Sequence, residues 1–81
     1  MLLQDAYATA QRFLDDEIRA QHNHEIVIHR CEETPHAWAF SYNAREYLES
    51  GNITAALAGN GPVIVPKDGS TPYFGSVFPQ P

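Results

Sequence analysis

EIVIHRCEETPHAWAFSYN, residues 25–43, is where the periodicity of the chain changes. EIVIHRC (25–31) is short and β-branched, which suits a strand. Alternation puts Ile26 and Ile28 on one of its faces and Val27, His29 and Cys31 on the other. AWAFSYN (37–43) alternates by size, with Trp38, Phe40 and Tyr42 pointing one way and Ala37, Ala39 and Ser41 the other. Between them Pro35 keeps Thr34 out of helical backbone, so EETPH reads as a turn. The stretch predicts an antiparallel hairpin whose large residues, Trp38, Phe40 and Tyr42, form core against a helix.

That helix precedes it. From Leu2 to Ala20 the apolar residues fall at positions 3, 6, 7, 10, 13, 14 and 18, a stripe with a period near 3.6. No Gly or Pro interrupts it. After the hairpin, AREYLESGN (44–52) reads as a helical turn stopped by Gly51 in the left-handed region. NITAALAG (52–59) repeats the device with Asn52 as N-cap and Gly59 as stop. PVIV (62–65) is a strand, and KDG (67–69) fits a type I turn followed by a left-handed glycine, Gly69. STPYFGSV (70–77) returns as an edge or irregular strand, marked by Pro72. The predicted fold class is α+β. One long N-terminal helix packs on an antiparallel sheet of about four strands, with short helical turns between two hairpins.

Size and charge narrow the function. The 81 residues carry a formal charge of −5, enough chain for a single domain, 1–81. One cysteine, Cys31, excludes an intramolecular disulfide. The opening MLLQDAYA has neither a basic start nor a long apolar run, which argues against a signal peptide, and no apolar run approaches bilayer thickness. A cytoplasmic location without membrane attachment is the expectation. The basic residues Arg12, Arg19, Arg30, Arg45 and Lys67 stand singly, so no nucleic-acid footprint is expected. The acidic excess favours a basic protein partner.

Four patterns invite chemistry. LAGNGP (57–62) has the glycines of a phosphate loop, but it follows a helix and precedes a strand, the reverse of the order that aims a helix N-terminus at an anion. Its glycines turn the chain. His22, His24, His29, Cys31 and His36 are metal-ligand types, yet their spacing matches no zinc motif, and solvated loop histidines are the plainer reading. Cys31 beside His29 or His36 raises thiol catalysis, which needs a lowered thiol pKa and a walled cleft. A small strand residue is the plainer reading there too. The carboxylates Asp15, Asp16, Glu17, Glu32, Glu33, Glu46 and Glu49 read as solvated faces. No catalytic, cofactor or metal residue is assigned.

WAFSYNAREYLESGN followed by LAGNGPVIVPKDG resembles the YrhB-like, or immunity protein 35, family of small bacterial proteins. The resemblance runs from the first helix to Gly69. Its motif falls on Trp38, Phe40, Tyr42, Leu57, Gly59, Asn60, Gly61, Pro62 and Gly69, positions that specify fold. It implies a non-catalytic protein that binds and neutralises a cognate toxin, with chaperone-like binding of unfolded clients as the alternative. In that role Glu32, Glu33 and Asp68 are the candidate steering charges, and Tyr47, Tyr73 and Phe74 the candidate aromatic anchors. Relatives commonly continue past the second hairpin into a closing segment, so a homodimer that covers an open face is a further expectation.

Overall fold

A computed structural model describes residues 1–21, 25–52 and 61–75. Helix α1 spans Leu3–Glu17, and its last turn tightens into a 3-10 turn at Arg19–Gln21. Strands β1 (Ile26–Glu33) and β2 (Ala37–Ala44) form the first hairpin. Helix α2 (Arg45–Ser50) follows, then β3 (Val63–Pro66) and β4 (Tyr73–Phe74). The sheet is an antiparallel meander in the order β1-β2-β3-β4. The expected α+β architecture is what the chain adopts. Gly51 ends α2 at φ 75°, and its N–H donates to the Tyr47 carbonyl. Gly69 takes φ 87° in the β3–β4 turn. Both are left-handed positions that favour glycine. Apart from Asn52, the second helical turn expected at 52–59 lies outside the described residues, as do Leu57, Gly59 and Asn60.

The helix stripe meets one face of the sheet. Ala6, Ala10, Leu14 and Ile18 are buried against Ile26, Phe40, Tyr42, Ala44, Val63 and Val65. Two alanines, one leucine and one isoleucine from the helix would leave a thin core by themselves. Phe40 supplies the bulk at its centre, and Phe13 and Phe74 seal one side with ring centroids 4.9 Å apart.

Three expectations are corrected here. The stripe does not bury evenly: Leu3 and Tyr7 remain exposed, because α1 lies over β2 and β3 rather than β1. Trp38 is partly buried at the rim, packed against the core rather than inside it. Its indole N–H donates to the Met1 carbonyl at 3.3 Å, and the Lys67 ammonium sits 5.1 Å from its ring. The third concerns β1. Ile26 faces Ala44 and Ile28 faces Tyr42, but the register then slips, so that Arg30 faces Ser41 and Cys31 faces Phe40. His29 is the extra residue of a β-bulge. Past it the alternation inverts, and Cys31 joins Ile26 and Ile28 on the helix side. It is exposed there.

Arg19 locks the helix end to the sheet. Its guanidinium donates to the Ile26 carbonyl at 2.7 and 3.1 Å, to the Gln11 carbonyl at 3.2 Å and side chain at 2.6 Å, and to Asp15 at 2.9 Å. It thereby ties the end of α1 to the start of β1. Arg19→Leu is expected to lower unfolding stability by about 2 kcal/mol, since hydrogen bonds to a charged group contribute about 1.5–3 kcal/mol. A urea titration reads this as a lower midpoint at unchanged slope.

Candidate protein-binding surface

The register sorts the candidate contact residues into rows. Cys31, Phe40, Val63 and Phe74 form one row on the helix side of the sheet. Glu32, Ala39, Ile64 and Tyr73 form the next, on the opposite side. Glu32 and Tyr73 therefore share a face but stand at its two edges, roughly 14 Å apart by strand spacing. Glu33, opposite Trp38, is on the helix side and reaches Lys67 at 2.6 Å. That contact joins the β1–β2 turn to the β3–β4 turn, which a backbone bond from Lys67 N–H to the His36 carbonyl at 2.8 Å already ties. Asp68 projects from the same end.

The aromatic candidates divide. Tyr73 is 54% exposed. Phe74 packs between Phe13 and Tyr42, and Tyr47 leans on the core from α2. Of the three, Tyr73 alone presents most of its ring to solvent.

Electrostatics favour an acidic exterior. Arg19, Arg30, Arg45 and Lys67 each pair with a carboxylate of this chain, so most of the positive charge is neutralised where it stands. Arg45 grips Glu25 with two bonds, at 2.9 and 3.1 Å, which closes α2 onto the start of β1. Asp68 accepts hydrogen bonds from the Ser70 hydroxyl at 2.6 Å and the Ser70 N–H at 2.8 Å. These hold its carboxyl below the usual carboxylate range. A carboxyl lowered on folding stabilises the turn above its unfolded pKa and loses that contribution as pH falls through the lowered folded value. Asp68→Asn is therefore expected to lower the neutral plateau of a stability-versus-pH curve slightly and to flatten its acid limb. Thermal melts across the acid range check this.

A groove of about 650 Å³ opens between the start of α1 and β1. Leu2, Leu3 and Tyr7 form one wall, Ile28 and Cys31 the other, and Phe40 the floor. Sequence reading missed it, because nothing in IHRC announces the bulge that brings Cys31 round. The signal available was MLL: consecutive apolar residues at a helix start exceed what one stripe can bury. The groove does not make Cys31 a nucleophile. Partial burial pushes its thiol pKa up, and the Glu33 and Glu32 carboxylates add to the effect, the reverse of thiolate activation. Among the described residues no group of three or more His, Cys, Asp or Glu is placed to hold a metal ion. His29 and His36 are exposed, while His22 and His24 lie outside the described residues. Among those residues, too, no helix is long and apolar enough to cross a membrane.

Trp38, Phe40 and Val63, with Lys67 and Asp68 at the turn end, lie in the two stretches that carry the family resemblance, whereas Glu32, Glu33 and Tyr73 lie outside them. The family model for immunity protein 35 matches residues 4–81. The chain belongs to that family. A relative described as uncharacterized protein YrhB, from Escherichia coli K12, is 41% identical over 64 residues. The match covers 79% of this chain and 63% of the relative, so the aligned part spans under two thirds of that protein's length. No solved structure matches the chain. Within the family motif, Phe40 and Tyr42 are core and Trp38 is rim. Gly61 is buried beside half-buried Pro62 at the entry to β3.

Proposed function

We propose that this chain is a cytoplasmic, non-catalytic immunity protein that neutralises a cognate toxin domain by binding it. The observation that carries the reading is the family match across residues 4–81. The charge distribution supports it. Asp15, Asp16 and Glu17 crowd the C-terminal end of α1 with no basic residue in its last turn, where the helix dipole disfavours negative charge. An acidic excess kept at a local cost fits a basic partner, drawn in by long-range attraction. Tyr73 is the proposed anchor, with Asp68, Glu32 and Glu33 supplying steering charge. Tyr47 and Phe74 act mainly by holding the sheet that presents them. The complex would cover a standard interface, roughly 800 Å² on each partner.

Coexpression tests it. A candidate toxin gene, sought in the neighbouring reading frames and expressed alone, should arrest growth, and this chain supplied in trans should restore it. Continued arrest in the presence of soluble, folded chain contradicts the proposal.

A second reading is favoured by one observation: Met1, Leu2, Leu3 and Tyr7 expose large apolar side chains beside the groove. Such a patch suits a chaperone-like protein that holds unfolded chains. Replacing Leu2 and Leu3 by serine would then abolish suppression of client aggregation, whereas on the toxin reading it leaves neutralisation intact.

A further inference from the structure

Strand β1 lies at the edge of the sheet, and its charges are arranged in a self-complementary order. The Thr34 N–H donates to the Ala37 carbonyl at 2.8 Å, and the register from Arg30 to Glu33 is regular. Alternation along an antiparallel ladder then turns the backbone groups of Glu32 toward β2 and those of Cys31 and Glu33 outward. Outward-facing N–H and C=O groups invite a further strand. Arg30 and Glu32 flank Cys31 on the face away from α1, and all three are exposed.

We propose that two copies of this chain pair antiparallel through β1, with the two-fold axis at Cys31. Matching faces stay together in registers centred on any of residues 30–33, and centring on Glu33 sets glutamate against glutamate at the axis. Centring on Arg30 sets arginine against arginine, and centring on Glu32 sets glutamate against glutamate. Both place a residue at the axis whose backbone groups already point at β2. Centring on Cys31 instead sets Arg30 of each copy opposite Glu32 of the other, twice, and puts outward N–H and C=O groups face to face. Opposite charges directly across strands stabilise pairing, and like charges oppose it. The same two-fold places both helices on one side of a continuous eight-stranded sheet. The two grooves merge, and Leu2, Leu3 and Tyr7 of one copy face those of the other above Cys31. The bulge at His29 ends the regular run, so the ladder is short and the association reversible. A second copy fits this edge better than an arbitrary strand, because only an Arg-x-Glu partner satisfies both charges.

Sedimentation of the purified chain from micromolar to millimolar concentration tests the pairing. The wild-type chain is expected to shift from its 9.0 kDa monomer to a species of twice that mass. Arg30→Glu alone and Glu32→Arg alone should each weaken self-association at least tenfold. An equimolar mixture of these two variants should recover a dimer, since each then offers the other opposite charges at both positions. The mixture separates pairing between copies from the contact Arg30 makes with Glu32 inside one chain at 3.2 Å, which mixing does not restore. Circular dichroism confirms that both surface variants fold. A wild-type chain that stays monomeric at millimolar concentration overturns the proposal. So does a dimer indifferent to Arg30→Glu, or a mixture no more associated than its components.

Discussion

Phe40→Ala is expected to remove a large share of the protein's stability. Phe40 is fully buried and stands in the row between Cys31 and Val63. The Tyr7 ring meets it edge-on at 6.1 Å. The buried helix residues Ala6 and Ala10 of the same core are too small to fill the vacated space. Phe→Ala in a core costs about 3–5 kcal/mol, while a chain of this length has roughly 4–12 kcal/mol in total. Far-UV circular dichroism and a urea titration would show the loss. Phe40→Leu keeps most of the volume and should cost less than about 1.5 kcal/mol. A Phe40→Ala variant that melted like the parent would mean that the helix and sheet are not joined through this ring.

Tyr73→Ala is the functional counterpart, expected to weaken toxin binding by roughly 30-fold or more without lowering the melting temperature. An exposed aromatic at the centre of an interface commonly contributes about 2 kcal/mol or more, and over half of the Tyr73 surface contacts solvent. Its neighbour gives the control. Phe74→Ala removes packing against Phe13 and Tyr42, so it should lower stability first and affinity only through that. Kinetics separate the charges from the anchor: neutralising Glu32 and Asp68 should slow association and flatten its salt dependence, whereas Tyr73→Ala should speed dissociation. Unchanged affinity in Tyr73→Ala would move the anchor elsewhere on the surface.

The two periodicities were legible because each has a physical cause. The 3.6-residue stripe is the face α1 buries, and the size alternation in AWAFSYN is the pleat of β2. Gly51 and Gly69 were legible for a related reason, since left-handed backbone favours glycine and both ends of the turns require it. The β1 faces were not, because a bulge at His29 demands no particular residue type and a single slip inverts every side chain beyond it. Trp38 misled for a geometric reason. It shares the face of Phe40 and Tyr42, but it lies at the start of α1, where its indole N–H meets the Met1 carbonyl. The candidate surface was legible as residue types rather than as a place. Glu32, Glu33, Asp68 and Tyr73 were all chosen for charge or aromaticity near turns, and only the strand register separates Glu32 from Tyr73 by the width of the sheet.

The proposal that this chain works by covering another protein's surface is tested most directly by titrating it into a candidate toxin domain that it protects against in coexpression, while that domain's activity is followed. Activity should fall linearly with added chain, reach its floor at a fixed stoichiometric ratio, and return when Tyr73→Ala replaces the parent. Full toxin activity at saturating chain, or inhibition that grows with time and never reaches a stoichiometric end point, would contradict it.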